Sequence, residues 1–389
     1  MVSLGIDFGT STTVAAIYRD GKTELVKNPD GEEVTPSCIA FLPSGALSVG
    51  RAARARCTID PANSLYSIKR ILGRKWSSSE VTRYAKDYPF TLEPGPDNVP
   101  LFVTRAGKLT AMEATGLMLA QLREWPTLKS ENIQDVTLTV PVSFQKEQRA
   151  ALIAAAARAG FEHVELIEEA RAAALAYLSG ESSDQQVVVY DLGGGTFDLT
   201  VMRWAGADYQ VLGVGGDSYA DYTVLAVGAE SYLGGDDIDL RCAKWVAEEI
   251  LKSYRWDVRT NSASFQKLVS ICEGAKISLS TADKEILNLS TIDEVLRDGT
   301  CALSRKKLEE VSMELIQRTF VICDHTLKSA GISTRAVDAV VLSGGCTYMP
   351  IISRSVESYF SRQPNGHLAS DKVVAIGAAL HAGRRSDAA

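Results

Sequence analysis

The chain has 389 residues, of which 46% are apolar and 23% charged, with a net charge of −7. That length builds two or more compact lobes, and that balance excludes a disordered chain. The acidic surplus argues against a primary role on nucleic acid or an anionic membrane, and no stretch reaches the ~20 apolar residues of a spanning helix.

The first element is a hairpin. Leu4-Gly-Ile-Asp-Phe-Gly-Thr-Ser-Thr-Thr-Val14 reads as strand, Asp7, Gly9, a hydroxyl cluster and strand. Short strands and turns follow over 23–50, with a turn at Asn28-Pro-Asp-Gly31, and 51–125 is mixed and more polar. From Thr110 to Arg123 the spacing of Met112, Thr115, Leu119 and Leu122 predicts a helix. Val136 to Pro141 predicts a buried strand. Alanine-rich helices are predicted over Gln145–Gly160 and Glu168–Leu178, where small side chains permit close packing. A polar break at 180–184 ends the first lobe.

The second hairpin is the most informative segment. In Val187-Val-Val-Tyr-Asp-Leu-Gly-Gly-Gly-Thr-Phe-Asp-Leu-Thr-Val201 an apolar strand ends on Asp191. Gly193, Gly194, Gly195, Thr196 and Asp198 follow, and a second strand leaves. Adjacent glycines let backbone N–H groups approach phosphate oxygens, and a strand-end acid can hold magnesium through water. Two such hairpins read as two jaws on one nucleotide.

Next comes a tandem repeat. Residues 208–220 and 221–233 agree at eight of thirteen positions, which implies a duplicated strand and turn that could offer an edge for pairing. Helices are predicted over Cys242–Tyr254, Phe265–Ser280 and Ser304–Ala330. Val337–Gly345 predicts a strand into a glycine turn, and Val373–Gly383 a terminal helix. The seven cysteines include no CxxC pair and the four histidines are scattered, which argues against zinc and for a reducing compartment. With no basic, apolar leader at the start, a cytoplasmic protein is expected.

An ordered series of motifs gives these elements a family. The chain resembles the nucleotide-binding domain of the heat shock protein 70 (DnaK-type) chaperones, within the actin and sugar-kinase superfamily. The anchors are Gly5-Ile-Asp-Phe-Gly-Thr10, Ser67-Ile-Lys-Arg-Ile-Leu-Gly-Arg74, Thr139-Val-Pro-Val-Ser-Phe144, Asp191–Asp198, Leu233-Gly-Gly-Asp-Asp-Ile-Asp239, Cys272-Glu-Gly-Ala-Lys-Ile-Ser-Leu-Ser280 and Leu342-Ser-Gly-Gly345. The resemblance implies an α/β, two-lobed, actin-like ATPase fold with duplicated ribonuclease-H-like cores. It places lobe I at 1–184, with a subdomain at about 39–107 and with 366–389 packing back onto it. Lobe II is placed at 185–365, with a subdomain at about 239–310.

The resemblance also implies roles. Asp7 and Asp191 hold Mg2+ through water. Gly9, Thr10, Ser11 and Thr12 meet the phosphates of ATP or ADP, with Gly193, Gly194 and Gly195 opposite. Lys69 is the catalytic cation, Thr196 positions water, and Glu169 and Asp198 are the water-orienting carboxylates. Glu273, Lys276 and Ser280 match ribose and adenine contacts. Gly344 and Gly345 pass under the adenosine, Asp371 closes the site, and Pro141 with Arg149 matches a relay of nucleotide state.

Three departures shape the expected physiology. The family's adenine-stacking arginine is Tyr348, which keeps a ring and loses the cation. The arginine at which J-domain co-chaperones dock is Glu165, here a solvated charge on the simplest view, so J-domain coupling is expected to fail. Neither the family's hydrophobic linker nor its peptide-binding domain is expected after the last helix. The function implied is a slow ATPase acting as a conformational switch on an unidentified protein partner, away from nucleic acid and membrane. An actin-like polymerising ATPase and a small-molecule kinase are the alternatives.

Overall fold

The structure, a computed structural model, describes residues 2–131, 133–179, 184–204 and 222–388. Two sheets dominate it, and they share one wiring. In the first, Ser3–Phe8 turns back into Thr12–Arg19, and Lys22–Leu25 extends that side. Asp135–Val140 lies parallel on the other side of Ser3–Phe8, with His163–Glu168 beyond it. In the second sheet Gln185–Leu192 turns back into Thr196–Trp204, and Tyr222–Ser231 follows. Ala339–Ser343 then pairs parallel with Gln185–Leu192. This repetition is the duplicated α/β core that the two hairpins announce.

The central strands are apolar on both faces because both faces are covered. Val187, Val188, Val189 and Tyr190 are all fully buried. Helices Glu169–Leu178 and Val373–Ala388 lie between the two sheets. Their alanines join Val187, Val189, Val341 and Val374 in one buried cluster, flanked by a separate core around each sheet. Close approach explains the small residues here. A Cβ on Gly377 would stand 1.7 Å from the Ala172 carbonyl oxygen, and one on Gly5 would stand 2.2 Å from the Ala379 nitrogen.

Helix ends follow their capping chemistry. Ala111–Arg123 opens with a reciprocal capping box between Thr110 and Glu113. Arg305–Ala330 starts on the Ser304 hydroxyl and stops at Gly331, whose φ of 70° is in the left-handed region. One start differs from expectation. The helix predicted from Cys242 begins at Gly235, because the Asp237 carboxylate accepts the Gly234 N–H at 3.1 Å and caps it. The helices Arg51–Arg56, Ser79–Asp87 and Pro350–Phe360 were not foreseen; they are short and lie in polar or mixed sequence.

Glu165 also departs from the expected solvated charge. It bonds His381 at 3.0 Å and pairs with Arg385, tying the edge strand His163–Glu168 to the last helix. Burial opposes its ionisation, but these partners hold its carboxyl below the ordinary range. The second copy of the repeat supplies the edge strand Tyr222–Ser231, where Gly228 makes room for Thr326. The first copy lies outside the described residues. Among those described, no helix is long and apolar enough to cross a membrane.

Candidate active site

The two hairpins end in the same turn. Gly9 N–H donates to the Thr12 carbonyl at 2.9 Å, and Gly193 N–H donates to the Thr196 carbonyl at 3.2 Å. Because the sheets face each other, the turns meet. A Cβ on Gly194 would strike the Ser11 hydroxyl at 1.8 Å, and one on Gly195 would come within 2.6 Å of Thr10. Only glycine permits that approach. The N-terminus of Gly235–Tyr254 braces the second turn, with Gly235 and Asp236 N–H groups donating to the Gly193 and Gly194 carbonyls.

One cavity lies between the turns. Asp7, Gly9, Thr10, Ser11, Thr12, Lys69 and Glu169 line it from the first lobe. Asp191, Gly193, Gly194, Thr196, Gly344 and Gly345 line it from the second, and Ser370 and Asp371 close its rim. Gly344 needs its glycine twice over: φ is 86°, and a Cβ would meet the Leu192 carbonyl oxygen at 2.3 Å. Tyr348 stands half-exposed at the mouth, its hydroxyl donating to Asp371 at 2.7 Å.

Lys69 arrives through a constrained turn. Ser67 is buried with φ 52°, in the left-handed region that costs a non-glycine residue about 1 kcal/mol. Its hydroxyl donates to Asp236 at 2.6 Å, which holds the turn against the second lobe. Lys69 then reaches Glu169 at 2.6 Å, with both side chains largely buried. Asp7 accepts from the Thr139 hydroxyl at 2.9 Å.

Four acids thus surround one lysine. Burial, and then the Glu169 charge, raise Asp7 to about 6, with Lys69 pulling the other way. The same two causes raise Asp198 to about 7. Asp191 is pushed well above its ordinary value by burial and by Glu169, Asp198 and Asp7. One Asp198 carboxylate oxygen is buried without a hydrogen-bond partner. Among the described residues, no three acids, histidines or cysteines are placed to hold a metal ion directly, so Asp7 and Asp191 could meet a cation only through water.

The raised values carry a testable sign. These carboxyls titrate near 3.8 when unfolded and hold their protons to about 6 and about 7 when folded. Their cost to stability is therefore absent below about pH 4 and complete above about pH 7. Unfolding free energy of the ligand-free protein should fall between about pH 4 and 7, with a few kcal/mol of that fall, to order of magnitude, due to these groups. Asp198→Asn should flatten the profile. Urea titrations of both proteins check this, and equal slopes would reject it.

The remaining predicted residues are placed elsewhere. Glu273 is ion-paired with Arg54 of the first lobe. Lys276 is buried against Asp239 at 2.6 Å and the Gly235 carbonyl at 3.2 Å. Ser280 donates to the Lys276 carbonyl at 3.3 Å. None of the three lines the cavity, and all lie on or beside the Ser262–Ser278 helix. Arg149 bonds the Phe144 carbonyl and Glu168, next to Pro141.

Sequence reasoning missed the lock between the lobes. Asp236 accepts from three hydroxyls of the first lobe, Ser11 at 3.0 Å, Ser67 at 2.6 Å and Tyr88 at 2.9 Å. Burial opposes its ionisation, yet Arg70 and Ser67 hold its carboxyl below the ordinary range. Asp237 takes Arg70 at 3.0 Å and Arg83 at 3.3 Å, and Tyr232 lies under both guanidinium groups. The signal available was the pair of acids directly after Gly234-Gly235.

Comparison with known proteins gives the chain a family. A family model described as Hsp70 protein matches residues 3–387. The proteins named Chaperone protein DnaK from two strains of Thermus thermophilus are each 34% identical over 387 residues. The match covers 98% of this chain and 60% of each relative, so the chain spans about three-fifths of their length.

Proposed function

The chain belongs to the Hsp70 protein family, and from that membership and the cleft we propose that it binds Mg-ATP and hydrolyses it to ADP and phosphate. One observation carries the reading. Two glycine turns from duplicated sheets converge on a buried lysine among four acids. That is the equipment for holding a polyphosphate and stabilising charge on its transferred group.

The proposed roles are specific. Thr10, Ser11 and Thr12 offer hydroxyls to phosphate oxygens, and Gly193, Gly194 and Gly195 offer approach to their backbone. Lys69 stabilises charge on the transferred phosphoryl group. Thr196 positions water, and Glu169 and Asp198 orient it. Asp7 and Asp191 would hold magnesium through water, which neutralises phosphate charge when bound. Tyr348 and Asp371 form the purine side of the mouth. Glu273, Lys276 and Ser280, which do not line the present cavity, would meet the ribose and adenine on the second lobe.

The chaperone-like use of this ATPase is a switch: lobe closure on ATP and relaxation on ADP bias the binding of a protein partner. We place it in a reducing cytoplasm, on the seven free thiols, and away from nucleic acid, on the net charge. Steady-state ATP turnover with and without EDTA tests the reading. Adding small acceptors in the same assay tests the kinase alternative, since a kinase would release ADP without free phosphate. No magnesium-dependent phosphate release would reject the proposal.

Coupling to a J-domain is expected to be absent. The acid Glu165 meets the position where a basic residue would receive an acidic co-chaperone motif, and it already holds Arg385 and His381. Turnover should stay flat, within about twofold, across a J-domain titration at low salt. Saturable stimulation would overturn this expectation.

A further inference from the structure

Two of the seven thiols stand in contact behind a bridge between the lobes. Cys38 opens the strand Cys38–Phe41, and Cys57 caps the end of the helix Arg51–Arg56. Their sulfurs are 3.5 Å apart, and both are buried among Ala40 and Ala53. A disulfide needs about 2.05 Å between sulfurs, so closure requires about 1.5 Å of travel.

The helix that carries Cys57 also carries the bridge. Arg54, one turn earlier, pairs with Glu273 of the second lobe and lies over the Tyr66 ring at 4.6 Å. The Tyr66 hydroxyl donates to Gln266 at 2.7 Å. Both acceptors belong to the helix Ser262–Ser278, so these two contacts fasten the small subdomain of one lobe to the other.

We propose that Cys38 and Cys57 are a modification site, a dithiol that a peroxide converts to an intramolecular disulfide, and that this bond loosens the Arg54–Glu273 bridge. The first step is attack of the Cys57 thiolate on one peroxide oxygen, which gives a sulfenic acid and hydroxide. The Cys38 sulfur then attacks the sulfenic sulfur. The S–S bond forms, and the departing hydroxyl leaves as water with the Cys38 proton. Two thiols lose two electrons and hydrogen peroxide is reduced to two waters.

The Arg54 guanidinium, one turn before Cys57 on the same helix and bonded to its sulfur, favours Cys57 as the attacking sulfur. The Cys38 contact holds its thiol below the ordinary value; burial opposes this and Arg54 assists it. Cys38 is pushed up by burial and stays a thiol. The second thiol contact, Cys242 with Cys272, lies beside the carboxylate of Asp239. The Cys242 contact, burial and the neighbouring acid all push Cys272 up. Both Cys38 and Cys57 are buried, so peroxide reaches them through local opening, which makes the reaction slow.

The consequence for the cleft rests on the nucleotide reading above. Pulling Cys57 toward the strand drags the end of the helix and moves Arg54 away from Glu273. A nucleotide held between the lobes then leaves faster, by up to about fivefold for an ion pair whose side chains are about a quarter exposed.

The experiment treats the full chain with hydrogen peroxide and reads three signals. Non-reducing peptide mapping should find Cys38 linked to Cys57 before any other pair. Amide hydrogen exchange over 51–56 and 262–278 should rise on oxidation. Release of a fluorescent ADP analogue should accelerate, and dithiothreitol should reverse all three. Cys38→Ser and Cys57→Ser should each abolish the link and the changes in exchange and release. A first link at Cys242–Cys272, or a Cys38–Cys57 link with unchanged exchange, overturns the proposal. A protein that forms the link and shows the exchange change but never binds the analogue rejects the nucleotide reading and upholds the dithiol.

Discussion

Lys69→Ala is expected to lower single-turnover ATP hydrolysis by ~10²–10³ while ATP still binds. Among the described residues, Lys69 is the one cation that lines the cavity beside Asp7, Asp191 and Glu169, and its ammonium is held at 2.6 Å from Glu169. Affinity is spread over both hairpins, but charge that develops on a transferred phosphoryl group has few places to be met. The substitution has a second effect of known sign. Lys69 opposes the upward shifts of Asp7 and Asp198, so its loss lets both carboxyls keep their protons to still higher pH. Residual activity should therefore need a more alkaline medium than the wild type does. Rapid-quench turnover across pH, beside equilibrium binding of ATP, separates the two effects. Unchanged single-turnover rates would remove Lys69 from the reaction.

The second large effect is structural. Gly377→Ala is expected to cost about 4 kcal/mol or more, because the new methyl meets carbonyl and Cα atoms of Ala172 that belong to a packed helix. Neither backbone can step aside without moving a sheet. Gly274→Ala is the matched control. It lies inside the helix Ser262–Ser278 with nothing within 4 Å of the new Cβ, and should gain about 0.5–1 kcal/mol. Denaturant midpoints of the two proteins decide it. Similar stabilities would show that the helices can slide apart at little cost.

The hairpins at Gly9 and Gly193–Gly195 were readable before the structure because strand, acid and glycine are adjacent in sequence. The alanine-rich helices Lys146–Arg158 and Glu169–Leu178 were readable by composition, and each fell within two residues of its predicted bounds. What escaped depends on distance in the chain. Asp236 draws on Ser11, Ser67 and Tyr88, and nothing local to any of them announces that meeting. Glu165 looked solvated because its partners, His381 and Arg385, arrive from the other end of the sequence. The short helix Arg51–Arg56 has only Ala53 buried, so no apolar period marks it, although it carries Arg54 to the other lobe.

The Ser11 hydroxyl owns a single proton, and in this structure it gives that proton to Asp236 at 3.0 Å. An anion entering between the turns would ask for the same proton. The group proposed to meet a phosphate is thus also a thread in the seam between the lobes, and it can serve one acceptor at a time. Occupancy of the cavity and tightness of the seam then become two readings of one hydrogen bond. Ser11→Ala would disconnect them: Asp236 would keep Ser67 and Tyr88, and the seam would no longer register whether the cavity is filled.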